Sequence, residues 1–369
     1  MREVLVLPAE AEEAMRRGQS GIHTFSLSKV LTREQACALR TQLAGERQFQ
    51  TEIYGIRKIF FPCESIPGVK VTLFYLEGRD DLPGIRRVSL QIEPCAVMGE
   101  ENPFALYHPT KERHRAFTRR LEYILKELGV PGDLPSLSLC RVDVTANLPL
   151  QSQVELEETL RIVKKSKLPR GYRYVTFDPR KRKAKEPQRA NERSHCIGNR
   201  KARFLIYDKT DQLRMTGRGL LDHGNRPVLR LEVQLRREAF QRYLPQEETD
   251  LRACLKQLYR RRKEILQHYL QAMQLDLGHH LRYEAARQVI RTRVKEGNVQ
   301  TRMLLLLQKC SDCKTWNAME EKLRKGSGWS KKQWENTWKK YRELSLSPIT
   351  LPNQSKIEEI MPLGKRLEV

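Results

Sequence analysis

Arg203-Phe-Leu-Ile-Tyr207-Asp208-Lys209 is the stretch on which the reading of this chain turns. Its alternation predicts a strand with Phe204 and Ile206 on one side and Leu205, Tyr207 and Lys209 on the other. Asp208 falls on the apolar side. A phenol and an ammonium then share a face, a pairing suited to phosphate chemistry. A core tyrosine at a strand end gives the same short pattern, so the surrounding sequence has to decide between the two.

Outward from this segment, further strands are expected at 137–145 and 228–235, and upstream at 4–7, 58–61, 71–76 and 87–92. Helical periodicity covers 32–44, 110–128 and 154–165, the second with Phe117, Leu121, Ile124, Leu125 and Leu128 on one side. Neighbouring strands without intervening helices argue for antiparallel pairing. The expected fold class is therefore α+β, an antiparallel sheet flanked by helices. From about residue 247 the pattern turns helical: one long basic helix over 251–275, then 284–295, 299–309, 316–325 and 330–344. Trp334, Trp338 and Tyr341 share one face of the last, as a core face would. Two domains are expected, an α+β domain at 1–245 and a mainly helical accessory domain at 246–369 with room for a helix-turn-helix DNA reader.

Composition narrows the partners. The 369 residues include 69 Lys and Arg against 45 Asp and Glu, a net charge of +24 that predicts attraction to a polyanion. Apolar residues make up 39%, which excludes a disordered chain, and no window holds the roughly 20 apolar residues of a membrane span. Neither end carries a basic helix with a bulky apolar face, so nucleic acid is favoured over acidic lipid. The first residues lack the apolar stretch of a secretion signal, and a cytoplasmic protein is expected. Of eight cysteines only Cys310 and Cys313 form a CxxC, with no second pair, so reduced thiols are expected rather than a zinc site.

Three strands share one property. Arg141 and Asp143 alternate with Cys140, Val142 and Val144, and Arg230 and Glu232 alternate with Leu229, Leu231 and Val233. Each strand thus offers an arginine and a carboxylate on one face, as the central strand offers Tyr207 and Lys209. Cross-strand ion pairs on a wet face would look the same, but the set also matches a phosphodiester site. Two carboxylates can hold Mg²⁺ or Mn²⁺, which binds a phosphate oxygen and polarises it. Tyr207 can attack as a nucleophile while Lys209 lowers its pKa. The segment from Asp178 to Arg193, with Lys181, Arg182 and Lys183, is expected to be an exposed arm that grips phosphate. Arg141, Arg230, Arg200, Lys201 and Arg203 are the other candidate phosphate contacts.

In this order, Arg141-x-Asp143, Ile197-Gly-Asn-Arg-Lys201, Ile206-Tyr-Asp-Lys209 and Arg230-x-Glu-Val-x-Leu235 resemble the rolling-circle replication initiators. The chain resembles the plasmid replication initiation factor (Rep_trans) group, and more closely the gene II-type replication proteins of filamentous phages. Blocks from Phe61 to Gly68, Phe74 to Gly78 and Ile92 to Phe104 carry the phage resemblance, and 334–367 is similar in layout. The resemblance implies an endonuclease and strand transferase that nicks one strand at a double-stranded origin. Tyr207 would become linked to the 5′ phosphate, Lys209 would be its companion, and Asp143 and Glu232 would be the metal ligands. It also implies displaced single-stranded DNA, a host helicase and a DNA polymerase as partners. The chain departs from the plasmid relatives at Asn147, where they often carry a second acid, and at Cys196, where they carry a tyrosine. It has no His-hydrophobe-His motif, which leaves His195 as the nearest substitute ligand.

Two other readings fit parts of the sequence. His223-Gly-Asn-Arg226 with Tyr259 echoes a tyrosine recombinase, but those enzymes place the motif at a helix, and here Pro227 and a strand follow at once. A non-enzymatic DNA-binding regulator would leave Tyr207 structural. Tyr172 and Tyr174 are an alternative nucleophile pair expected at a strand.

Overall fold

Residues 19–53, 55–76, 85–175, 193–216, 226–246 and 248–367 are described by a computed structural model. The expected strand at 4–7 and all of the basic arm except Arg193 lie outside the described residues. The chain divides into two compact units, each discontinuous in sequence. The first comprises Met1–Gln19, Ala146–Val233 and Lys263–Val369, the second Ser20–Thr145 and Gln234–Arg262. Residue 245 thus falls inside the second unit.

The second unit is built on β1 (Gln19–Leu31), β2 (Phe49–Ile53), β3 (Ile56–Phe61), β4 (Val69–Leu76), β5 (Ile85–Ile92) and the start of β6 (Ser138–Pro149), in the order β2-β3-β4-β5-β1-β6. Pairings from β2 through β5 and from β5 to β1 are antiparallel. One face is apolar, with Phe25, Leu27, Leu73 and Leu90 at most 1% exposed. The helix Lys111–Glu127 buries Phe117, Leu121, Ile124 and Leu125, and the Phe117 ring meets Phe25 edge-on at 5.9 Å. Each such side chain contributes about 1.5–3 kcal/mol when fully buried. The helix Arg33–Gln42 starts at a capping box of Thr32 and Gln35. Gly68 ends the Phe61–Gly68 block at φ +81°, where a Cβ would lie 2.6 Å from the Val97 nitrogen. Only glycine fits there.

The first unit continues β6 and adds β7 (Arg173–Tyr174), β8 (Ser194–Gly198), β9 (Ala202–Asp208) and β10 (Val228–Arg236), in the order β6-β10-β9-β8-β7. The helix Gln153–Lys165, capped by Ser152, buries Leu156, Leu160, Ile162 and Val163. Phe204 of β9 packs 5.7 Å from Tyr269. Four helices follow, Tyr283–Arg293, Gly297–Asp312, Trp316–Ser327 and Lys331–Glu343. As expected, the last turns a core face inward: Tyr341 is fully buried and donates to the Met303 carbonyl at 2.8 Å, and Trp338 stacks on Trp316 at 5.2 Å.

The α+β antiparallel class with a helical C-terminal region is what the structure has. One element differs. The single basic helix expected over 251–275 is two, Leu251–Arg260 and Arg262–Ala272. At the break, Arg262 donates to the Tyr259 carbonyl at 3.0 Å and lays its guanidinium 4.1 Å from the Tyr259 ring. A side chain thus takes up a carbonyl the continuing helix would have used. Sequence reading also missed β1, β2 and β8. Among the described residues, no helix is long and apolar enough to cross a membrane.

Candidate active site

β9 alternates as its sequence predicts: Phe204 and Ile206 are buried, and Leu205 and Tyr207 are half-buried on the other face. The strand ends at Asp208. Its Oδ1 accepts from the Asp211 backbone N–H at 3.0 Å and caps the helix Lys209–Met215, while Arg193 pairs with its Oδ2 at 3.2 Å. Burial raises the Asp208 carboxyl, against the cap hydrogen bond and the Arg193 charge, which lower it. Lys209 is therefore not on the strand face with Tyr207, and that expectation is corrected. It is the first residue of the helix, buried, with Nζ donating to Gln212 Oε1 at 2.7 Å. The strand runs through Asp208, and helical hydrogen bonding begins at the next residue. Asp208→Ala should cost about 1–2 kcal/mol for the lost cap, read as a lower urea midpoint, with Asp208→Asn recovering most of it. Equal losses in both variants would show that the cap is not the source.

Around Tyr207 the first unit gathers three polar side chains. The phenol donates to Glu232 Oε2 at 3.4 Å, and Arg230 is a further hydrogen-bond partner of the phenol. Arg230 is fully buried, and its Nε donates to Asn147 Oδ1 at 2.7 Å. Glu232 is 5% exposed and Asn147 4%. The face of β10 that carries Arg230 and Glu232 is thus closed to water, unlike a wet face of screened ion pairs. Charges are carried into such a place only with compensating partners. Burial pushes the Tyr207 phenol well above its usual pKa of 10, and the Glu232 carboxylate adds to the rise. The Arg230 charge and hydrogen bond oppose it. Burial and the Glu232 carboxylate together outweigh the lowering by Arg230.

The second unit holds Arg141 and Asp143. Asp143 is 1% exposed, and Arg141 grips it bidentately, Nε to Oδ1 at 2.7 Å and Nη2 to Oδ2. The Thr24 hydroxyl of β1 also donates to Oδ2. Thr24 was missed because β1 was missed, although Phe25-Ser-Leu27-Ser alternates as a strand should. Asn147 appeared in the sequence only as a departure from a pattern, and the structure gives it a task, the acceptor for Arg230.

The other candidates are spread out. Arg200 and Lys201 are exposed in the turn between β8 and β9, about 20 Å from Tyr207 at 3.3 Å per strand residue. The Asn199 side chain holds this turn by accepting from the Lys201 and Ala202 N–H groups at 2.8 and 2.9 Å. Arg203 is half-buried on the Tyr207 face. Lys181, Arg182, Lys183 and His223 lie outside the described residues. His195 pairs with Ile206, so it points to the face opposite Tyr207, and burial lowers its pKa to about 4. It stays neutral against the Tyr174 ring, 5.7 Å away, with no position beside the phenol. Of the pair expected at a strand, Tyr174 lies in β7, its phenol raised by burial, and Tyr172 lies just before it. All eight cysteines are free thiols.

Among the described residues, no group of three or more His, Cys, Asp or Glu is placed to hold a metal ion. Mg²⁺ needs fewer, since it keeps several waters and binds through one or two carboxylates plus substrate phosphate. The donor chemistry of Glu232 fits that requirement. Asp143 is already gripped by Arg141 and Thr24.

No protein-family profile matches the chain, and no curated protein matches it. Among solved structures, a rolling circle replication initiator protein from Geobacillus stearothermophilus is similar at 12% identity, over 69% of this chain and 85% of that one. The TM-score is 0.32, too low to argue from.

Proposed function

We propose that this protein nicks and rejoins DNA, with Tyr207 as the nucleophile, and that it initiates rolling-circle replication at a double-stranded origin. The observation that carries the reading is a half-buried phenol donating to a buried carboxylate beside a fully buried arginine, in a chain of net charge +24. A perturbed titratable cluster of this kind is a mark of a chemical site.

In the reaction, Tyr207 Oη attacks a backbone phosphorus as its proton passes to Glu232. The P–O3′ bond breaks, and the leaving 3′ oxygen takes up a proton. The products are a 5′-phosphotyrosyl link and a free 3′-OH that a polymerase can extend while a helicase displaces the strand. Attack by a 3′-OH on the phosphotyrosine reverses the step and reseals DNA without ATP. Arg230 offsets negative charge next to the phenol. A Mg²⁺ or Mn²⁺ ion bound to the DNA phosphate, with Glu232 as its candidate protein ligand, would supply Lewis-acid polarisation of a non-bridging oxygen. Lys209, seated on Gln212, acts in this reading through the helix it begins.

The test is supercoiled plasmid bearing the cognate origin, incubated with the protein and Mg²⁺, Mn²⁺ or chelator. An open-circular product with protein fixed to its 5′ end is expected. Tight origin binding with no adduct under any metal would overturn the reading and leave a DNA-binding regulator. Glu232→Gln should slow nicking by about 10²-fold or more, the usual worth of a positioned base. It should also bring the Tyr207 phenol down toward 10, since the carboxylate's charge no longer opposes ionisation. Titration of Cζ-labelled tyrosine by carbon NMR reads that shift, and a midpoint that rises would contradict the assignment.

A further inference from the structure

We propose that the face of the second unit's sheet opposite its core is a platform for single-stranded DNA, separate from the tyrosine chemistry. Directly paired residues share a face. The registers Phe49↔Phe60, Lys58↔Phe74 and Phe74↔Arg87 therefore put three aromatic rings and two cations on one side of β2, β3, β4 and β5. Helices cover the other side, where Leu73 and Leu90 are at most 1% exposed. On the aromatic side Phe49 is 46% exposed, Leu76 42% and Val30 66%, three of the six large apolar side chains exposed among the described residues. An apolar patch concentrated in this way marks an interaction surface.

The chemistry of the patch selects the occupant. Arg87 lies 4.8 Å and Lys58 5.5 Å from the Phe74 ring centroid, and Arg47 lies 4.8 Å from that of Phe49. Phe49 and Phe60 are tilted against each other at 6.2 Å. Between the rings the face carries hydroxyls and an amide, Thr51, Thr72, Ser89, Ser28 and Gln91. No aspartate or glutamate occupies a position on this side from β1 to β5 among the described residues. Aromatic rings interleaved with cations match unpaired bases joined by phosphates. A duplex keeps its bases stacked inside and offers such rings nothing to stack on. Toward β6 this side of β1 closes over, with Ser26 and Thr24 buried and Thr24 donating to Asp143.

This inference does not require Tyr207 to be the nucleophile, and its test contains no chemistry. Binding of a fluorescein-labelled 20-nucleotide single strand and of the matching duplex is measured by anisotropy, with the full chain carrying Tyr207→Phe. Phe60→Leu with Phe74→Leu keeps apolar bulk and removes the rings. The expected result is about tenfold or greater weakening for the single strand, with duplex affinity within about twofold and an unchanged melting temperature. Lys58→Gln with Arg87→Gln should weaken single-strand binding and flatten its salt dependence. Equal losses for single strand and duplex, or none for either, would overturn the platform. So would a chain that dimerises through this face, seen as a monomeric leucine variant with undiminished single-strand binding.

Discussion

Tyr207→Phe is expected to leave DNA binding intact and to eliminate the covalent protein–DNA adduct, with nicking reduced roughly 10⁴-fold or more, the scale of losing a nucleophile. The substitution removes one oxygen. That oxygen donates to Glu232 at 3.4 Å and receives the Arg230 hydrogen bond, so its loss leaves ring packing in place while taking away the only atom that can bond to phosphorus. Structural damage would instead appear as a lower urea midpoint and weaker binding. A quantitative nicking assay on supercoiled origin plasmid, with the adduct followed through denaturing gels, separates the two. If Tyr207→Phe nicks as fast as the wild type, the nucleophile is another residue and the proposed function loses its centre. Tyr174→Phe serves as the control and should nick normally, because that ring packs against the neutral His195.

Arg230→Ala should be the most destabilising single change at the site, by about 3–5 kcal/mol. Arg230 is fully buried and donates to Asn147 Oδ1 at 2.7 Å. Its removal leaves a cavity and an amide acceptor without its donor, and takes the positive charge away from the buried Tyr207–Glu232 pair. Arg230→Met fills the space and should recover part of the loss. Adding Glu232→Gln to Arg230→Met should recover more, since a buried negative charge is then gone. Urea unfolding of the wild type, Arg230→Met, Glu232→Gln and the double variant gives the coupling directly. A loss below about 1 kcal/mol for Arg230→Ala would mean that water reaches the site and that the pair is not buried in solution. Arg230→Met should also push the Tyr207 phenol still higher, because the charge and hydrogen bond that hold it down are lost.

Residues that repeat with period were legible in the sequence. The alternations around Tyr207, Arg141 and Arg230 put each of these side chains on the face its strand later shows, because pleating is a local property of extended backbone. The helices over 110–128 and 330–344 were legible for the same kind of reason, with Phe117 and Tyr341 on their buried sides. Lys209 was misread because a capping carboxylate ends β9 at Asp208, and an aspartate looks alike in a strand and at a helix start. The strand β1 was missed although it stands between β5 and β6, since its serines and Thr24 dilute the apolar signal that marks strands.

For the Arg203–Lys209 stretch itself, the sequence alone determined that Tyr207 lies across the strand from Phe204 and Ile206, and that the chain as a whole seeks a polyanion. Tertiary structure decided what that tyrosine meets. Its neighbour along the chain, Lys209, begins a helix and donates to Gln212, whereas Glu232, which is 25 residues distant, accepts the phenol's hydrogen bond. The reason is physical. Alternation fixes which way a side chain points, but its pKa depends on burial and on charges brought close by strands that are remote in sequence.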